Sequence, residues 1–168
     1  MQNNPAHEIE LFPPEVFKTL LDHEVNKSRR YGDSLTLVDL LVETDPANTE
    51  AQHEAEMFAI NVFNLHLRDT DIPCKRENEF LILMPSTSTP GARTACERVK
   101  KLMTIEHQTE QVNVFKLSTF IGMASLPIDH AISSDEFAKN ASQALQHART
   151  NHLINVVAFS EIEIKGVL

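Results

Sequence analysis

An arginine and an aspartate three positions apart, Arg68 and Asp71 in the run Arg68-Asp69-Thr70-Asp71, are the residues of this chain best suited to chemistry. An arginine fork can hold an anionic group with two parallel donors, and a carboxylate can accept from N–H donors beside it. The same spacing at a helix end also makes an ordinary surface ion pair, worth at most about 1 kcal/mol. Basic residues near a last helical turn complement its dipole as well. Other chemistries have less support. The four glycines, Gly32, Gly91, Gly122 and Gly166, never cluster, so no glycine-rich loop brings backbone N–H groups up to a phosphate. The two cysteines, Cys74 and Cys96, lack metal-ligand spacing. Cys74 lies in an apolar run and reads as core rather than nucleophile. The eight histidines are scattered, and His147 and His152 miss the i, i+4 spacing of a helical metal pair.

Composition narrows the partners. The 168 residues suit one domain, and a hydrophobic fraction of 42% is that of a globular chain rather than a disordered one. Fifteen basic against twenty-four acidic residues leave a net charge of -9. That balance repels a phosphate backbone and an anionic membrane surface, so no nucleic-acid partner is expected. No apolar run reaches the roughly 20 residues that cross a bilayer, so no membrane insertion is expected. The segment Met1 to Glu10 is polar and acidic, unlike a signal or transit peptide. A reduced, cytoplasmic setting is the expectation.

Elements that could position Arg68 and Asp71 follow from periodicity. Residues 1–12 read as a flexible lead-in. Pro13-Pro14 open a helix to about Arg30, with Val16, Leu20, Leu21 and Val25 on one side and a stop at Gly32, where a positive φ is free. Ser34 to Val42 is an apolar run suited to a strand buried on both faces and interrupted by Asp39. After a turn at Asp45-Pro46, a helix is expected from about Glu50 to Arg68. Asp71–Lys75 and Glu79–Met84 flank the polar Arg76-Glu77-Asn78 and predict a hairpin. A helix at 91–105, a strand at 113–125, a helix at 134–150 and a strand at 154–159 complete the order. The class is α+β, helices covering a mostly antiparallel sheet of about five strands in a ferredoxin-like βαββαβ arrangement.

Four segments, in order, resemble the GGDEF family of diguanylate cyclases and their inactive relatives. They are FKTLLDHEVNKSRRYG (17–32), LHLRDTDIPCKRENEFLILMPST (65–87), LSTFIGMASLP (117–127) and FAKNASQALQHARTNH (137–152). The resemblance makes residues 13–168 a degenerate GGDEF domain with the nucleotidyl-cyclase-like fold. It places the family's metal-binding carboxylates at Leu41 and Glu43 on the first strand and in the signature hairpin, which here reads Arg76-Glu77-Asn78-Glu79-Phe80, one residue short and without either glycine. Leu41 cannot ligate magnesium, Asn78 has lost its charge, and Glu79 alone makes no two-metal site. Asp39 enters the set only if the strand register slips by two; otherwise it is a partly buried carboxylate paired with a neighbouring donor. The loop ETDPANTEAQHEAEM (43–57) also lacks the family's Lys and Gly. Leu41, Glu43, Glu77, Asn78 and Glu79 are therefore eroded active-site positions, with no catalytic residue and no metal ligand. The expectation is that the chain is not an enzyme and requires no cofactor.

The resemblance also identifies Arg68 and Asp71 with the family's RxxD, the inhibitory site for cyclic di-GMP. Arg98 stands where the third helix would supply a second arginine, and Lys75 and Arg76 could add phosphate attraction. Arg149 falls where cyclases place a phosphate-contacting lysine. Two functions are implied: a cyclic di-GMP receptor using Arg68, Asp71 and Arg98, or a nucleotide-independent protein-interaction or dimerisation module, binding a protein partner or a second copy, in a bacterial signalling system.

Overall fold

A computed structural model describes residues 10–44, 47–105 and 117–165. Helix α1 (Pro14–Tyr31) starts on a proline, as its fixed φ favours, and ends at Gly32 with φ 74°, whose N–H bonds to Ser28 O. Strand β1 (Leu35–Glu43) is buried along nearly its whole length. Helix α2 (Thr49–His66) is capped by Asn48, whose Oδ1 accepts from Ala51 N at 3.0 Å. Strands β2 (Ile72–Arg76) and β3 (Glu79–Pro85) close through the two residues Glu77 and Asn78. Glu77 takes φ 56°, a left-handed conformation that glycine would adopt freely in so short a turn. Helix α3 (Thr89–Ile105), strand β4 (Ser118–Ser125), helix α4 (Ser134–Thr150), strand β5 (Val157–Ala158) and helix α5 (Phe159–Lys165) follow.

The five strands form one sheet in the order β2-β3-β1-β4-β5. All neighbours are antiparallel except β4 and β5. The expected α+β class and five-stranded, mostly antiparallel sheet are present. The last strand is shorter than expected, because the chain turns helical at Phe159. Of the strand expected at 113–125, residues 113–116 lie outside the described residues, as do most of the lead-in and the Asp45-Pro46 turn.

Side chains alternate across β1, and each face meets its own helices. Val38, Leu40 and Val42 join Phe63 of α2 and Cys96 and Met103 of α3. Phe63 and Phe80 meet edge to face at 5.2 Å. On the opposite face Leu37 packs with Phe17 and Phe137, and Leu41 with Ala144 and Leu145. Helix α4 comes so close to β4 that a Cβ on Gly122 would lie 2.0 Å from Leu145 N. A glycine inside a strand often marks such an approach. Asp39 and Glu43 share the α4 side of β1 with Leu37 and Leu41.

Candidate functional site

The RxxD segment forms a closed turn between α2 and β2. The Asp71 side chain is 4% exposed; its Oδ2 accepts from Arg68 N at 2.9 Å and its Oδ1 from Arg68 Nη2 at 3.1 Å. Arg68 Nη2 also donates to Pro85 O and to Thr87 Oγ1. Thr87 is buried and follows Ser86, which has φ 50°. Its carbonyl accepts from Thr36 Oγ1 at 2.8 Å, and its N–H donates to Ser34 O. The turn after β3 is thus pinned to β1 and in turn fixes the guanidinium. From α3, Arg98 donates to His66 O at 3.1 Å. Arg68, Asp71 and Arg98 line one hollow of about 300 Å³ together with His66, Ser86 and Thr87.

The three residues expected to form a ligand set therefore stand together. Thr87 was not anticipated, because the run Ser86-Thr87-Ser88-Thr89 reads only as a polar loop. Lys75 and Arg76 do not join the hollow: Lys75 pairs with Glu56 at 2.7 Å, and Arg76 turns to the far end of the hairpin. That expectation is corrected by the extension of β2, which carries both residues away from Asp71.

At the hairpin's other end lie the positions that the sequence led one to expect as an eroded active site. Leu41 is paired with Glu79 and Asp39 with Leu81. Asp39 is nevertheless only one pleat from Leu41 on the same face. It is fully buried, and neither carboxylate oxygen has a hydrogen-bond partner. This corrects the expectation of a partly buried, donor-paired carboxylate: its nearest cation, Arg76 Nη2, is 3.9 Å away. The same Nη2 donates to Glu79 Oε2 at 3.0 Å. Burial, and then the charge of Glu79, push the Asp39 carboxyl up to about 7, with Arg76 pulling the other way. Glu77 and Asn78 are exposed in the turn. Glu43 ends β1 in an ion pair with Arg149 of α4 at 2.6 Å, so Arg149 is engaged within the chain.

A family profile described as "Diguanylate cyclase, GGDEF domain" matches residues 58–153, more than half of the chain. The chain belongs to the GGDEF family. Solved GGDEF domains share the fold. The GGDEF domain of DgcB from Caulobacter crescentus, in complex with c-di-GMP, is 13% identical with TM-score 0.72, over 95% of this chain and 99% of that one. The active GGEEF domain of a diguanylate cyclase from Vibrio cholerae is 15% identical with TM-score 0.77, over 89% and 98%. The diguanylate cyclase SiaD from Pseudomonas aeruginosa, in complex with its activator SiaC, is 20% identical with TM-score 0.77, over 91% and 62%. Among curated proteins no relative matches by sequence.

The family match overturns the expectation that the chain is not an enzyme. The matching profile is that of the cyclase domain itself, and the fold is shared with a domain described as active. That expectation rested on Leu41 and Glu43 in the first strand, on Asn78, Glu79 and the missing glycines in the hairpin, and on the loop 43–57. It set Asp39 aside, and the fold brings Asp39 into the cluster with Glu79. The family's chemistry calls for divalent cations on carboxylates. As placed, the side chains of this GGDEF domain do not fit one: among the described residues no three His, Cys, Asp or Glu converge, and Arg76 faces both Asp39 and Glu79. Among the described residues no helix is long and apolar enough to cross a membrane.

Proposed function

We propose that this GGDEF domain acts in cyclic di-GMP signalling and binds cyclic di-GMP in the hollow lined by Arg68, Asp71 and Arg98. One observation carries the reading. Two arginines from separate elements and a carboxylate meet in one concavity, and Arg68 is held in place before any ligand arrives. Its guanidinium bonds to Asp71, Pro85 and Thr87 leave from Nη2, so the Nη1 and Nε side of the fork is left for a ligand. A fork fixed in this way loses little side-chain entropy on binding. The volume lies at the lower end of ligand pockets, roughly 300–1,000 Å³. It suits one guanine with its phosphate, the rest of the cyclic dinucleotide lying at the surface. Two arginines against one carboxylate also give the hollow a local positive excess on a chain of net charge -9.

Titration calorimetry with cyclic di-GMP tests this. Wild type should bind, and Arg68→Ala should bind roughly ten- to hundredfold more weakly, as loss of a charge-assisted bond worth about 1.5–3 kcal/mol implies. Absence of heat from wild type at tens of micromolar ligand, or equal binding by the variant, would remove the reading.

A further inference from the structure

We propose that the hollow between the β4–α4 connection and α5 is a second binding site, one that takes a small organic ammonium ion with an apolar body. The inference stands apart from the cyclic di-GMP reading, since Arg68, Asp71 and Arg98 do not line this hollow.

The hollow encloses about 570 Å³, well within the roughly 300–1,000 Å³ that small-molecule sites occupy. Its floor is apolar. Leu126 and Ile132 are buried there, and Phe159 packs against their cluster. Ile128, 95% exposed, carries the apolar lining out to the mouth. Such a lining has room for a hydrocarbon body, and the polar groups set what that body must carry.

Three hydroxyls fix the direction of hydrogen bonding. Thr36 Oγ1 donates to Thr87 O at 2.8 Å, which commits its proton. Ser125 Oγ, 2.9 Å from Thr36 Oγ1, must therefore donate to it. By the same step Thr89 Oγ1, 2.6 Å from Ser125 Oγ, must donate to Ser125. Thr89 lines the hollow with its proton already spent, so it offers a lone pair there. Glu136, in the first turn of α4, adds a carboxylate. Asp129 is the other acid of the lining, and its Oδ1 already meets His130 Nδ1 at 2.8 Å. Neither lysine nor arginine lines the hollow. Acceptors without a fixed cation favour a ligand that brings donors and positive charge. An anion gains little from the helix ends nearby, because the chain caps them itself: Ser133 Oγ accepts from Glu136 N at 3.0 Å, and Glu161 Oε2 from Ala158 N at 3.2 Å.

Amide NMR of the full chain titrated with phenethylamine, phenethyl alcohol and hydrocinnamate tests this, because the three probes share a body and differ in charge. Phenethylamine should shift the amides of Ser125, Ile132 and Phe159 and bind with a Kd below about 1 mM, as about nine non-hydrogen atoms allow. Phenethyl alcohol should bind about tenfold more weakly and hydrocinnamate more weakly still, since neither makes the charge-assisted bond to Glu136. Glu136→Gln, at an exposed position, should weaken phenethylamine about tenfold and leave the alcohol unchanged. Thr89→Val should weaken phenethylamine about fivefold. No shift of these amides at about 5 mM phenethylamine, or shifts confined to another part of the domain, would overturn the proposal. So would equal affinity for amine and alcohol, tighter binding of hydrocinnamate, or equal binding of phenethylamine by Glu136→Gln and wild type.

Discussion

Asp39→Asn removes a buried charge while keeping the side chain's shape, and its effect should depend steeply on pH. The carboxyl is raised from 3.8 to about 7, first by burial and then by the charge of Glu79. Between those values the folded chain keeps a proton that the unfolded chain has released. Stability therefore falls as pH rises through the window and levels off above about 7. At about 1.4 kcal/mol per pH unit, the whole rise corresponds to a loss on the order of 4 kcal/mol, of which roughly 2–3 kcal/mol falls between pH 5 and 7. The buried amide of the variant carries its own cost, but that cost does not titrate. Glu79 shares the cluster, so the observed midpoint belongs to the pair. Urea unfolding of both proteins at half-unit steps from pH 5 to 8 isolates the effect, because the scattered histidines cancel in the difference. The variant should gain on wild type by about 2–3 kcal/mol from pH 5 to 7. Parallel curves for the two proteins would show that Asp39 does not titrate in this range and would refute the reasoning.

Two further outcomes follow from the packing. Thr87→Val removes the hydroxyl that accepts from Arg68 Nη2 and should weaken cyclic di-GMP binding about fivefold, about 1 kcal/mol, since the guanidinium keeps its bonds to Asp71 and Pro85, while Thr87→Ser restores it; calorimetry on both variants checks this. Gly122→Ala would place a Cβ 2.0 Å from the Leu145 backbone nitrogen. Backbone cannot swing aside as a side chain can, so the change should cost at least about 3 kcal/mol in chemical denaturation.

Legibility in the sequence tracked how local each cause was. Helix α4 was expected at Ser134–Thr150 and is found there, because Ser133 caps it with a bond to Glu136 N and acidic residues fill its first turn. Helix α5 was missed: Phe159-Ser-Glu-Ile-Glu-Ile alternates like a strand, and its helical state is fixed by packing on α4 and β5 together with the Arg93–Glu161 pair. Arg68, Asp71 and Arg98 were legible because two lie in one short motif and the family resemblance implies a second arginine at the spacing Arg98 has from Phe80. Thr87 was not, since its bond to Arg68 spans nineteen positions. Asp39 stood out as a charge in an apolar run, but its isolation depends on which residues lie across β3 and β4. Arg76 read as a source of phosphate attraction beside Asp71 for the same reason. Its partners Asp39 and Glu79 are set by strand pairing, which composition does not display.

The claim that this domain holds cyclic di-GMP between Arg68 and Arg98 is tested most directly by a crystal structure of the protein grown with that ligand. Guanine density against both guanidinium groups, with the Asp71 carboxylate close by, is the result expected. Ligand density elsewhere on the domain, with the hollow empty, would contradict the account.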